Sequence, residues 1–138
     1  MTTPTPSPNY RTGKICYIEI PAIDIAESAQ FYKQVFGWRT RQRTDGSIAF
    51  DDTAGEVSGT WNLERTPSTD PGLIVFIMVA NAATTIEAII GAGGTIVQPV
   101  NPDEQEVYAL FRDPVGNVLG IYQQAGLAEI EAQLSVDK

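Results

Sequence analysis

The chain has 138 residues, 43% of them hydrophobic and 19% charged, which suits one globular domain around one core. Its 17 acids against 9 bases give a formal charge of −8, and this argues against nucleic acid as a partner, because phosphate contacts need positive charge to displace counterions. With no histidine and a single cysteine, the sequence excludes a Ser-His-Asp triad, a Cys-His pair, an intramolecular disulfide and any histidine-based metal site.

Residues 1–12 open with a Thr/Pro/Ser-rich stretch that lacks both a basic start and an apolar segment, and they read as a mobile tail rather than a secretory signal. No apolar run approaches the ~20 residues needed to span a bilayer. A cytoplasmic protein without a membrane role is therefore expected, and the lone cysteine fits a reducing compartment. The run Ile15 to Ile20 reads as a strand, with Cys16 expected to be a buried, inert thiol. Strand alternation puts Cys16, Ile18 and Ile20 on one face, under a helix, and Ile15, Tyr17 and Glu19 on the other.

Asp24 can cap a helix, with Glu27 three residues on as in a capping box. Ser28, Phe31, Tyr32, Val35 and Phe36 form its apolar stripe, and Gly37 is a natural stop. Arg39, Arg41 and Arg43 alternate as the solvated face of the next strand. Asn81 caps a second helix, with Ala82, Ile86, Ile89 and Ile90 as its inward candidates and Gly93-Gly94 at its end. Asp113-Pro114-Val115-Gly116-Asn117 is a turn signal in which Asp113 satisfies backbone N–H groups. Residues 125–138 carry Leu127, Ile130 and Leu134 at helical spacing and read as a final helix or a tail.

The chain is also written twice. At an offset of 57, Ile20 meets Ile77, Asp24 meets Asn81 and Gly37 meets Gly94. At an offset of 61, Phe50 meets Phe111, Asp52 meets Asp113, Gly55 meets Gly116, Gly59 meets Gly120 and Trp61 meets Tyr122. The change of offset calls for four extra residues in a loop of the second half, near Pro99 to Gln105. Each half reads strand, helix, then three strands: one domain over 13–124, with modules at about 13–66 and 72–124.

With Ile18-Glu19-Ile20-Pro21, Asp24, Phe31-Tyr32-Lys33-Gln34-Val35-Phe36-Gly37-Trp38 and Asp113-Pro114-Val115-Gly116-Asn117 in this order, the chain resembles the vicinal oxygen chelate superfamily of glyoxalases, bleomycin-resistance proteins and extradiol dioxygenases. The resemblance spans Gly13 to Gln124. It implies an α+β fold of two tandem βαβββ modules whose strands curve into a cup, with helices outside. It also implies a small molecule in the cup and, in catalytic members, a divalent metal held by His and Glu on the first and last strands of each module.

By this matching the ligand positions fall on Tyr17 and Ile74, and on Gly59 and Gly120, none of which suits a divalent ion. No metal and no other cofactor is therefore expected. The glycines permit a bend, or they enlarge a pocket. Tyr17, Phe50, Gly59, Trp61, Ile74, Phe76, Met78, Phe111, Gly120 and Tyr122 are the expected lining of a largely aromatic and apolar cup.

Glu19, on the cup face beside Tyr17, would have a raised pKa if desolvated and could serve with Tyr17 in proton transfer; alternatively it pairs with an arginine or reaches solvent. The functional expectation is a protein that binds a small, largely apolar or aromatic molecule without a metal. The competing readings are a lyase, isomerase or dioxygenase-type enzyme working through Glu19 and Tyr17, one using oxygen ligands such as Glu19 and Glu56, and a partner-binding domain with a vestigial cup. A homodimer is expected.

Overall fold

The computed structural model describes residues 8–136. The chain divides between Pro67 and Ser68 into two compact units with the same order of elements. The first runs β1 (Tyr17–Pro21), α1 (Ile25–Phe36), β2 (Arg39–Gln42), β3 (Ile48–Asp51) and β4 (Ser58–Asn62). The second runs β5 (Phe76–Val79), α2 (Ala82–Gly91), β6 (Thr95–Gln98), β7 (Tyr108–Arg112) and β8 (Val118–Gln123), and is followed by α3 (Leu127–Val136). This is the expected pair of βαβββ modules in an α+β fold. Much of the expected tail, residues 1–7, lies outside the described residues. Among the described residues no helix is long and apolar enough to cross a membrane.

Helices α1 and α2 start where their caps place them. The Asp24 carboxylate accepts from the Glu27 amide at 3.2 Å, and the Asn81 side chain accepts from the Thr84 amide at 3.0 Å. Gly37 ends α1 in the left-handed region at φ +74°. Each unit then forms a four-stranded sheet, ordered β1-β4-β3-β2 and β5-β8-β7-β6. In each, the first strand pairs parallel with the last and the other pairs are antiparallel. The β2–β3 loop holds five residues (43–47) and the β6–β7 loop nine (99–107), which is the predicted expansion of four.

The helix side of the first sheet is an aromatic stack. Tyr32 of α1 lies 4.7 Å from Trp38, Trp38 lies 4.6 Å from Phe50, and Phe50 lies 4.8 Å from Trp61, all of them buried. The second unit buries Ile89 of α2 with Ala109, Phe111 and Ile121. Ile90, expected to face inward, is exposed.

The last strand of the first unit departs from the expected alignment. Asp51 pairs with Ser58 and Arg112 pairs with Val118, so the first hairpin encloses six residues (52–57) and the second five (113–117). Thr60 is opposite Glu19 and Gly120 is opposite Phe76, and those partners are themselves 57 apart, like the two caps. The counterpart of Gly120 is therefore Thr60, not Gly59. A slip of one residue exchanges the faces of a strand. Gly59 and Trp61 accordingly join Phe50 on the helix side of the first sheet, and Phe111 is core in the second. Cys16 is exposed rather than buried, because it precedes β1 at the sheet edge, where neighbouring Ile15 is exposed as well.

The glycines have a steric cause. A Cβ on Gly59 would stand 2.1 Å from the Ile18 carbonyl oxygen and 2.3 Å from the Phe50 ring, and one on Gly120 would stand 2.4 Å from the Phe76 ring. Gly59→Ala therefore meets rigid backbone and is expected to cost about 3 kcal/mol, whereas Gly120→Ala meets a half-exposed ring that can swing aside and should cost about 1 kcal/mol. Urea unfolding of the two variants checks the order; equal costs would contradict it.

Candidate functional site

One face of each sheet carries no helix of its own unit, and the two bare faces differ in chemistry. On the first sheet, strand register gathers Tyr17 and Glu19 from β1, Ser58 and Thr60 from β4, Asp51 from β3, and Arg39 and Arg41 from β2. Arg41 grips Asp51 through Nε at 3.0 Å and Nη2 at 3.2 Å, and Ser58 donates to the same carboxylate at 2.7 Å. The Arg41 and Ser58 hydrogen bonds hold the Asp51 carboxyl below its ordinary range. Arg43 donates to the Tyr17 hydroxyl, and its guanidinium sits 5.4 Å from the centre of that ring.

Glu19 accepts from Arg65 Nε at 2.9 Å, and this hydrogen bond, with the charge of Arg65, lowers its pKa. Of the environments the sequence left open for Glu19, arginine pairing is the one observed.

The second sheet's bare face is apolar. It collects Phe76 and Met78 of β5, Gly120 and Tyr122 of β8, and Tyr108 and Leu110 of β7. Phe76 is 46% exposed and Met78 60% exposed. The Phe76 ring lies over Gly120 and meets Tyr108 edge-on at 6.0 Å. Tyr122 donates its hydroxyl proton to Glu106, whose acceptance of that hydrogen bond raises the phenol's pKa. Ile74 precedes β5 with the same parity and is half-buried.

Of the predicted lining residues, Tyr17, Phe76, Met78, Gly120 and Tyr122 lie on the bare faces, as does the proton-transfer candidate Glu19, while Phe50, Gly59, Trp61 and Phe111 are in the cores. Sequence reasoning missed Ser58, Thr60, Asp51, Arg41 and Arg65. The available signal was the alternation of Ser58, Thr60 and Asn62 with Val57, Gly59 and Trp61, which marks β4 as apolar on one face only.

The metal implied by the resemblance does not fit the residues present. Its four positions, corrected for register, are Tyr17, Thr60, Ile74 and Gly120. Ile74 and Gly120 have no donor atom. Tyr17 is hydrogen-bonded by Arg43, and the Thr60 hydroxyl donates to the Ile48 carbonyl at 2.7 Å. Two neutral hydroxyls are a poor set for a divalent cation. Among the described residues no group of three His, Cys, Asp or Glu could hold a metal.

A family model described as Glyoxalase/Bleomycin resistance protein/Dioxygenase superfamily matches residues 14–121. A glyoxylase-like domain-containing protein from Didymella fabae is 30% identical over 125 residues, covering 83% of this chain and 96% of that protein. Among solved structures, a glyoxalase/bleomycin resistance protein/dioxygenase family enzyme from Burkholderia phytofirmans PsJN has a TM-score of 0.63 at 20% identity, covering 80% of this chain and 98% of its own. TioX from Micromonospora sp. ML1 has a TM-score of 0.57 at 25% identity, covering 80% of this chain and 98% of its own.

Glu19 titrates below the ordinary value of about 4.3, so its pairing with Arg65 favours the folded state above that pH and is lost as pH falls through the folded pKa. In Arg65→Gln the Glu19 pKa should rise toward the ordinary value in a carbon-13 carboxyl titration; an unmoved value would reject the pair. Incubation with Zn or Mn ions, then desalting, should leave well under one metal per chain by elemental analysis, and one tightly held ion per chain would show that the donor set has been misjudged.

Proposed function

Because the chain belongs to the glyoxalase/bleomycin resistance protein/dioxygenase superfamily, we propose that it is a binding member that takes a small, largely apolar or aromatic molecule, without a metal, on the bare sheet face of the second unit. The observation that carries this reading is the exposure of Phe76 and Met78 side by side on that face. A sheet with an apolar face ordinarily buries it, and an exposed apolar patch marks a binding surface.

The residues suit the task. Phe76 lies across Gly120, which gives a flat ring for an aromatic ligand to stack on. Met78 adapts its shape to an irregular partner. The linked Tyr122 and Glu106 supply one polar point at the edge, enough to orient a ligand.

Proton transfer through Glu19 and Tyr17 has less support. The Arg65 hydrogen bond and charge make Glu19 a weaker base. Binding without turnover, as in sequestration, is the reading these contacts favour.

A thermal-shift screen of planar aromatic compounds tests it. A ligand at a hundred times its Kd adds about 2.7 kcal/mol of stability, a readily visible shift. Met78→Glu should abolish that shift and leave the unliganded melting temperature nearly unchanged, because the side chain is exposed. A screen with no hit would overturn the proposal. So would a Met78→Glu variant that binds normally, or one whose sole effect is to turn a dimer into a monomer, which would make this face a subunit interface.

A further inference from the structure

A pocket of about 570 Å³ opens in the first unit, between the segment Pro8–Lys14, the start of β1 and the β3–β4 hairpin. That volume lies within the range of small-molecule sites. Its walls carry two tyrosines, Tyr10 and Tyr17, and three of the chain's nine Lys and Arg residues, Arg11, Lys14 and Arg41. In a protein of net charge −8, this pocket sets three cations against two acids, Asp51 and Glu56.

Those acids are already engaged. Asp51 accepts from Arg41 twice and from Ser58. Glu56 accepts from the Asn9 backbone amide at 3.2 Å, from the Asn9 side chain at 3.4 Å and from Lys14 at 3.0 Å. The unused hydrogen-bonding capacity is of the opposite kind. Arg11 makes no ion pair among the described residues. The Tyr17 hydroxyl accepts from Arg43 and so keeps its own proton to donate. What remains in the pocket is a set of donors with positive charge beside aromatic rings, one of them, on Tyr10, 88% exposed.

We propose that this pocket binds a small aromatic carboxylate, its anionic group on the Arg11 guanidinium and the Tyr17 hydroxyl and its ring against Tyr10. A carboxylate matches the planar fork of a guanidinium and takes two parallel hydrogen bonds from it. This reading does not rest on the binding proposed for the apolar face of the second unit, and either can fail alone. Glu56 has a positioning role here. By holding Asn9 and Lys14 it fixes the segment that brings Tyr10 and Arg11 to the pocket.

The test is a proton–nitrogen NMR titration of the full chain with sodium benzoate, benzamide and phenyl phosphate at matched ionic strength. Benzoate should give saturable shifts at the amides of Tyr10, Arg11, Tyr17 and Ser58, and benzamide should give none. Arg11→Gln should weaken benzoate roughly threefold to tenfold, with the spectrum otherwise preserved. Tyr17→Phe should weaken it as well, which separates the site from loose attraction to surface charge. The proposal is overturned if benzoate does not saturate, if benzamide binds equally well, if phenyl phosphate binds more tightly than benzoate, or if both variants bind as the wild type does.

Discussion

The pairing of Asp51 with Ser58 settles more of this molecule than any other contact pattern. It leaves six residues in the first hairpin, where the second has five. Side chains on a strand alternate with a period of two, so that single residue decides which half of β4 meets α1 and which half stays bare. With this register Trp61 enters the aromatic stack, Phe50 lies over Gly59, and Ser58 and Thr60 are left on the open face. Moving the strand by one residue would drive Trp61 into solvent and Thr60 under α1, losing apolar burial and stranding a hydroxyl in the same step.

From the same element order, the two units reach opposite surfaces. The first spends its aromatics under the helix, where Tyr32, Trp38 and Phe50 stack and Trp61 packs tilted against Phe50, and leaves charged and hydroxyl groups outside. The second buries mostly aliphatic side chains and leaves Phe76, Met78 and Tyr108 on its bare face. A duplicated fold can diverge in this way because the topology depends only on caps, turns and strand pairing, which both copies keep. The bare faces are free to differ, and chemistry is selected on them.

The features legible in the sequence are those set by local physics. Asp24 and Asn81 cap their helices because a short polar side chain can reach the orphan amides. The Asp113 turn forms as expected, with that carboxylate accepting from the amides of Val115, Gly116 and Asn117. The face of β4 was harder to read. The repeat aligned Gly59 with Gly120 without a gap, and the resemblance directed apolar residues to a cup, although the alternation in β4 itself marked them as core. Exposure of Cys16 was hidden because an apolar run does not tell whether anything covers it. The Glu19–Arg65 pair joins residues 46 apart, and no periodicity connects them.

The added hairpin residue also links the fold to the pocket. The two copies align through Gly55 and Gly116, so the extra residue falls between Gly55 and Ser58, the stretch that carries Glu56. Glu56 ties Asn9 and Lys14 to the hairpin and thereby seats Tyr10 and Arg11 beside β1. The second hairpin has Asn117 at the corresponding place, and it is used inward: its side chain donates to Asp113 and accepts from the Ser68 amide. Both turns therefore hold a distant segment: Asn117 holds the start of its own unit at Ser68, and Glu56, in the hairpin longer by one residue, holds Asn9 and Lys14. The insertion that turns β4 over is the same one that makes an acid available to hold the pocket's second wall.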